Sequence, residues 1–322
     1  MEYSVAIRTL GTAGEKYQIL LDSLSKQTIS PKRILVYIPD GYELPKETIG
    51  WEEYIRCPKG MISQRSLPFD EIDTDYILFC DDDLYLPENL VEKMYEGLCE
   101  NDGDCISPDI FELQKQSKVG RLKTAFSAYV FPRKNDGWAF RIMRNGSYTY
   151  NVKPTNDVIP TESAAGACML IKKEVFRCIH FEDERWMEDY GYPLGEDLLF
   201  YYKLHTMKYK VFVFYNSGVE HLDAGTGNNR FMNERIKNNA ALSVVIPYRI
   251  KYDLKGVSPF SKAIIILSCF MRCAEQLSFL TIKHLIKDKK IVAFHYLKGL
   301  LKGLKYIRSE RYRSIPKYDA YI

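Results

Sequence analysis

The chain of 322 residues predicts an α/β fold, a mostly parallel sheet covered by helices with a helical extension at its C-terminal end. Three observations lead there. Strand-like and helix-like segments alternate over the first hundred residues, the pattern of a sheet with covering helices. The run Tyr76-Ile77-Leu78-Phe79 is apolar without alternation, as in a strand buried on both faces. The charge is also divided: residues 1–250 carry 30 Lys and Arg against 37 Asp and Glu, whereas residues 251–322 carry 15 against 5, which sets the last 72 residues apart as a basic extension.

Tyr3 to Thr9 reads as the first strand, and Glu15 to Ser25 as an amphipathic helix with Tyr17, Leu20, Leu21 and Leu24 at helical spacing. Lys32 to Ile38 is a second strand, ending in Pro39-Asp40-Gly41, and Tyr54 to Cys57 a short third. A helix is expected from Gly60 to about Phe69. The fourth strand ends at Asp81-Asp82-Asp83, and a helix follows from Glu88 to Glu100. From about Asp109 to Pro160 the sequence is irregular, rich in aromatics, Gly, Asn and basic residues, and reads as excursions over one face. Order returns with the small residues Ala164 to Ala167 leading into a strand through Ile171, then a short helix from Lys173 to Arg177. Gly195-Glu196-Asp197 opens a helix running to about Met207. Lys210 to Phe214 is a strand, and Asn233 to about Pro247 a helix.

A hydrophobic fraction of 46% is ample for one large domain, or one domain with an appendage. The eight cysteines are scattered without a Cys-x-x-Cys pair, and the first strand begins almost at Met1, so free thiols in a reducing cytoplasm are expected. The longest apolar run, Ala263 to Phe270, is too short to span a bilayer. From Ala293, the apolar residues Ala293, Leu297, Leu300, Leu304 and Ile307 recur at helical spacing, with Lys298, Lys302, Lys305 and Arg308 between them. That is the pattern of a helix lying on an anionic membrane surface. A helix packed on the main domain with a solvated basic face produces it too. The acidic balance of residues 1–250 argues against a nucleic-acid-binding face.

Three adjacent carboxylates at a strand end repel one another. A hard divalent cation, Mg²⁺ or Mn²⁺, relieves that repulsion and can also hold phosphate oxygens, and ligands of open α/β sheets sit outside the carboxyl ends of the strands. An acidic turn ahead of the helix near Pro87 is the plainer alternative. Glu196 and Asp197, at a helix start, are either favoured there by the helix dipole or held rigidly enough for one of them to serve as a base. His221 precedes Leu222-Asp223-Ala224-Gly225-Thr226-Gly227 and is either structural or an imidazole ligand that adds to carboxylate oxygens.

In this order, the β-α-β start, Asp40 after the second strand, Arg65 in the helix after Gly60, Asp81-x-Asp83, the strand Gly166-Ala167-Cys168-Met169-Leu170, Glu196-Asp197 and the late His221 resemble family 2 glycosyltransferases of the GT-A fold, over roughly residues 1–240. The resemblance implies a catalytic domain over residues 1–250, with a donor half of about 1–107 and an acceptor half of about 108–250, and a basic amphipathic extension over 251–322. It implies a nucleotide-sugar donor contacted by Thr9, Asp40, Arg65, Asp81 and Asp82, and Mn²⁺ or Mg²⁺ held by Asp83 and His221. Asp197 is then the general base, with Glu196 beside the acceptor and Trp186 offered to it as a stacking platform. The acceptor is a glycan or lipid-linked oligosaccharide, and the enzyme sits in the cytoplasm at the inner face of the membrane. The alternatives are a sugar-phosphate nucleotidyltransferase, whose Gly-rich phosphate loop Leu10-Gly11-Thr12-Ala13-Gly14 supplies only in part, and a non-catalytic carbohydrate- or nucleotide-binding protein.

Overall fold

The computed structural model describes residues 1–111, 137–191, 194–222, 232–287 and 290–320, with side chains to residue 282 and from residue 292 within the last long helices. Its centre is an eight-stranded sheet in the order β3-β2-β1-β4-β10-β6-β11-β9. The strands are β1 (Tyr3–Arg8), β2 (Arg33–Pro39), β3 (Glu53–Cys57), β4 (Tyr76–Asp81), β6 (Cys105–Pro108), β9 (Val158–Pro160), β10 (Cys168–Lys172) and β11 (Val211–Phe214). Four of its seven pairings are parallel (β3 with β2, β2 with β1, β1 with β4, β6 with β11), and β10 runs antiparallel between β4 and β6.

Helices cover both faces, which is why the central strands are apolar on both sides. In β4, Leu78 and Cys80 point into one core with Tyr17, Leu20 and Leu24 of α1 (Glu15–Ser25) and Met94 of α3 (Leu90–Glu100). Ile77 and Phe79 point into the other, with Phe69, Phe176 and Phe200. That second face carries α2 (Met61–Arg65), α4 (Lys173–Cys178), a 3₁₀ segment (Phe181–Tyr190) and α5 (Glu196–Thr206). The helix expected from Gly60 to Phe69 ends at Arg65 instead. Pro68 disfavours helical geometry at Leu67, and Phe69 takes a left-handed φ of 48°.

Two small sheets flank the large one. The pair β5 (Leu84–Tyr85) and β12 (Glu220–His221) is antiparallel, with His221 opposite Leu84. The hairpin β7 (Phe140–Ile142) and β8 (Tyr148–Tyr150) turns at Asn145-Gly146, where Gly146 has φ 73°. The stretch read as irregular from Asp109 to Pro160 therefore includes this hairpin and β9, while residues 112–136 of it lie outside the described residues.

The extension is helical: α6 (Met232–Pro247), a π turn (Tyr248–Tyr252), α7 (Pro259–Lys287), α8 (Lys290–Tyr306) and α9 (Glu310–Arg313). Its end is woven into the main core. Arg249 and Glu184, both fully buried, pair at 2.8 Å, Arg249 also donates to the Pro316 carbonyl at 2.5 Å, and the Tyr318 hydroxyl bonds to the Leu199 carbonyl at 2.5 Å, on the helix that carries Glu196 and Asp197.

Two expectations about this region need correction. The stripe through Leu300, Leu304 and Ile307 packs against Ala240 and Val244 of α6 rather than facing outward. Gly299 and Gly303 let the two helices approach so closely that a Cβ at either would lie within 2.6 Å of an α6 carbonyl oxygen. Its Lys302 reaches back to Asn238 at 2.9 Å. The limit set by Ala263 to Phe270 also fails. α7 continues through Arg272 and Glu275, and its segment Pro259–Ile282, 24 residues, is long and apolar enough by length and composition to cross a bilayer.

Candidate active site

β1 and β4 run parallel in register, so Arg8 lies beside Asp81 at their carboxyl ends. The Arg8 guanidinium donates to Asp81 at 2.6 Å, Thr9 donates to Asp82 at 2.5 Å, and Asp83 Oδ1 lies 3.2 Å from His221 Nε2. The β5–β12 pairing brings His221 there, and the Leu222 amide donates to the Asp83 carbonyl at 2.8 Å. Lys16, from α1, donates to the Leu222 carbonyl at 2.6 Å and puts a cation beside this pair. The three aspartates thus diverge to three different partners. Burial raises the Asp81 carboxyl while Arg8 and Arg65 pull it down. Burial also pushes Asp82 up to about 6, opposed by the Thr9 hydrogen bond and reinforced by its two acidic neighbours.

A second cluster faces this strand end. Because β10 is antiparallel to β4, its entry residues Gly166 and Ala167 sit at the same edge, and the Asp81 amide bonds to the Ala167 carbonyl at 2.8 Å. Arg65, almost wholly buried, donates to Asp197 at 2.5 Å and to the Gly166 carbonyl at 3.1 Å, and lies 3.4 Å from Glu196. Gly195, at φ 95°, lets the chain turn into α5 and present both carboxylates at its first turn. Their environments split them. Burial, with the Asp197 charge added, pushes Glu196 up to about 8. Burial acts on Asp197 as well, but Arg65, by charge and hydrogen bond, holds its carboxyl below the usual range. The two shifts run in opposite directions, the separation that assigns acid and base roles to neighbouring carboxylates.

Gly166 is fixed by this packing. A Cβ there would lie 1.9 Å from Asp197 Oδ1 and 2.7 Å from Arg65 Nη1. Both atoms end long or pivoting side chains, so Gly166→Ala is expected to displace Asp197 with little loss of fold stability. A shift of about 1 Å at a reacting group costs on the order of 100-fold in rate. Steady-state kinetics beside a thermal melt check this, and an unchanged kcat would show that Asp197 has no fixed position to lose.

Of the residues singled out in the sequence, Thr9, Asp81, Asp82, Asp83, Arg65, Glu196, Asp197 and His221 gather at this edge. Arg65 is bound to the carboxylate pair instead of standing open to a donor diphosphate. Asp40 follows β2 directly, is exposed, and its amide bonds to the Cys57 carbonyl at 3.1 Å. Trp186 does not fit an acceptor platform: its ring is 4% exposed and stacked on Tyr306, and its N–H donates to Glu184 at 2.7 Å. Three residues escaped the sequence reading. Arg8 holds Asp81, Lys16 bonds beside His221, and Glu188 accepts from the Ser63 amide at 2.7 Å, fixing the start of α2; Gly166, singled out for its strand, also leaves room for Asp197. For Arg8 the available signal was its place at the end of a strand parallel to the one ending in Asp81.

Among the described residues no group of three or more His, Cys, Asp or Glu is arranged to hold a metal ion. Asp83 and His221 do supply one carboxylate and one imidazole on adjoining strands, a donor set that suits Mn²⁺ or Mg²⁺ when further oxygens come from a ligand.

Residues 46–179 match the sequence model of glycosyl transferase family 2. Among solved structures, TarS of S. aureus aligns over 98% of this chain with a TM-score of 0.52 at 12% identity, a likeness of fold, and the chain spans 50% of that protein's length. No curated protein matches by sequence. The segment that spans α2, β4 and β10 is thus similar in sequence to glycosyl transferase family 2, and the two carboxylates face the carboxyl edge of a sheet whose fold the chain shares with TarS.

Proposed function

We propose that the protein is an inverting, metal-dependent glycosyltransferase of surface-polysaccharide synthesis. It moves a sugar from a nucleotide diphosphate sugar, a uridine-type donor in the first instance, to a hydroxyl of a glycan or lipid-linked oligosaccharide. The observation that carries this reading is Asp197, ion-paired to the buried Arg65 beside Glu196 at the sheet edge that ends in Asp81. The acceptor oxygen attacks the anomeric carbon from the face opposite the diphosphate, the carbon–oxygen bond to the diphosphate breaks with its electron pair, and Asp197 takes the hydroxyl proton. One displacement inverts the configuration, as in inverting hydrolysis with a sugar hydroxyl in place of water. Glu196, which burial and the Asp197 charge push the opposite way, is not assigned that role. Arg8 keeps Asp81 oriented at the donor edge. Asp83 and His221 would hold a divalent cation, which when bound neutralises charge on the leaving diphosphate. The basic extension is read as the contact with an anionic membrane at the cytoplasmic face, where lipid-linked acceptors would be met.

Thermal-shift measurements against a panel of nucleotide sugars, with and without Mn²⁺, test the donor and the metal together. The native protein is expected to be stabilised most by one uridine-type donor in the presence of Mn²⁺. Asp83→Ala is expected to lose most of that Mn²⁺-dependent stabilisation while keeping the metal-independent part. An equal loss with and without Mn²⁺ would remove Asp83 from the metal site. No response to any nucleotide sugar would overturn the donor reading.

A further inference from the structure

In a helix that packs on a globular domain, the outward stripe is ordinarily charged or polar. α7 departs from this. Its inner side is anchored: Arg272 donates to the Asn145 carbonyl at 3.1 Å, Tyr296 donates to Gln276 at 2.5 Å, and Cys273, Leu277 and Leu280 pack toward α6 and α8. Its outer side between Pro259 and Ile282 presents Phe260, Leu267, Phe270, Met271, Phe279 and Ile282, with Ala, Ser, Thr and Pro between them. Phe260 is 75% exposed, Leu267 59% and Ile282 58%. The segment has three charged residues, Lys262, Arg272 and Glu275, all of them partly buried. Lys262 lies over the Tyr252 ring. On α8, Phe294, Leu297 and Leu301 are exposed as well, so the apolar surface extends over two helices.

Charge decides what covers this surface. On α8 the exposed Lys298 lies 4.3 Å over the ring of the exposed Phe294, Lys305 is exposed further along the helix, and Arg308 is exposed just beyond its end. Residues 251–322 as a whole carry 15 basic against 5 acidic side chains. A second copy of this chain would bring the same positive field against it. A bilayer with anionic headgroups offers the opposite charge beside an apolar interior, and basic residues next to an inserted face favour it.

We infer that the outer face of α7, continued by Phe294, Leu297 and Leu301 of α8, inserts in the plane of an anionic bilayer leaflet. The main contact is the long helix; of the α8 stripe that sequence periodicity picks out, Leu300, Leu304 and Ile307 serve internal packing and Leu297 joins the exposed face. The segment would be about 36 Å long, enough to cross a membrane. Its inner-side bonds to the catalytic domain and to α8 keep it lying on the surface. This assignment rests on the membrane part of the proposed function and specifies its surface.

Flotation of the full chain with vesicles tests it, using phosphatidylglycerol–phosphatidylcholine mixtures against pure phosphatidylcholine. The native chain is expected to float with the anionic vesicles, less so as salt is raised, and weakly with the neutral ones. The double variant Leu267→Glu/Phe270→Glu changes only exposed side chains, so an unchanged melt is expected, with vesicle affinity lower by on the order of 100-fold. Lys298→Glu/Lys305→Glu is expected to remove the preference for anionic lipid. If Leu267→Glu/Phe270→Glu binds as the native chain does, the face assignment is wrong while the membrane reading stands. If the native chain binds no vesicle and is a dimer that this double variant converts to monomer, the face joins two copies and both readings fall.

Discussion

Asp197→Asn will lower kcat by about 10²–10⁴-fold, the usual contribution of a positioned general base, while leaving nucleotide-sugar binding close to native. Asn keeps the size of Asp and can still accept from Arg65 through its carbonyl oxygen, so the contact at 2.5 Å is replaced by a weaker bond and not by a hole. What is lost is the site that receives the acceptor proton. The neighbouring carboxyl cannot substitute, because Glu196 is pushed up to about 8 by burial and by Asp197 itself. In the variant that second cause disappears, and Glu196 titrates closer to the ordinary range. A residual rate that rises with pH through this new value would therefore report Glu196 acting as a poorly placed base. Steady-state kinetics with a donor and acceptor pair, alongside thermal shift with the donor alone, separate the two effects. Transfer at the native rate would remove Asp197 from the reaction.

The elements were legible where local pattern and tertiary environment agree. The apolar run ending at three aspartates, the small residues before Cys168 and the glycine before Glu196 each mark a chain that meets the sheet edge, and the structure gathers them there. What the sequence hid was pairing. Arg65 and Asp197 are 132 positions apart, and nothing local says that the arginine of α2 turns toward α5 and not toward the donor. Arg8 becomes visible only once the register of β1 against β4 is known. The hairpin β7–β8 did carry a signal in Asn145-Gly146, but strands of three residues are too short to show a period. Trp186 was ambiguous because a buried aromatic and a sugar platform look alike in sequence, and the Glu184–Arg249 pair that encloses it joins residues 65 apart.

The same lesson applies to the extension. Periodicity finds an amphipathic helix but does not say which way its apolar stripe faces, and on α8 the Gly299 and Gly303 spacing turned it inward. α7 offered no long unbroken apolar run, yet between Pro259 and Ile282 its three charged residues are partly buried and its most exposed large side chains are apolar. Burial of Tyr312 and Tyr318 in the main core ties this extension to the helix that carries the base. The surface proposed to face the membrane and the carboxylate proposed as the base therefore share one packed unit.

Arg65→Met is expected to have the largest effect on the fold and to change the pH dependence of the reaction in a defined direction. Arg65 is almost wholly enclosed, bonded to Asp197 and Gly166 and close to Glu196, so its removal leaves the buried Glu196 and the partly exposed Asp197 without a cation. Breaking a fully buried pair costs about 3–5 kcal/mol, and the solvent that reaches Asp197 reduces the cost here. In the native protein Asp197 is held below its ordinary value because Arg65 outweighs burial. Its ionised form then contributes stability that is present above the unfolded-state value, near 3.9, and is lost as pH falls through the depressed one. Without Arg65, burial raises Asp197 against the weaker pull of the Glu196 and Gly166 hydrogen bonds, and the sign reverses: the variant is stabilised below the unfolded-state value and loses that stability as pH rises through the new one. The gap in stability between native and variant should accordingly widen from acid to neutral pH, as urea unfolding at several pH values would show. In kinetics the acid limb of kcat/KM, which reports ionisation of the base in the free enzyme, should move to higher pH. Arg65→Lys keeps the charge but cannot bond Asp197 and Gly166 with one planar group, so it should recover most of the acid limb and only part of the stability. An acid limb unmoved in Arg65→Met would mean that Arg65 holds the fold together without setting the ionisation of Asp197.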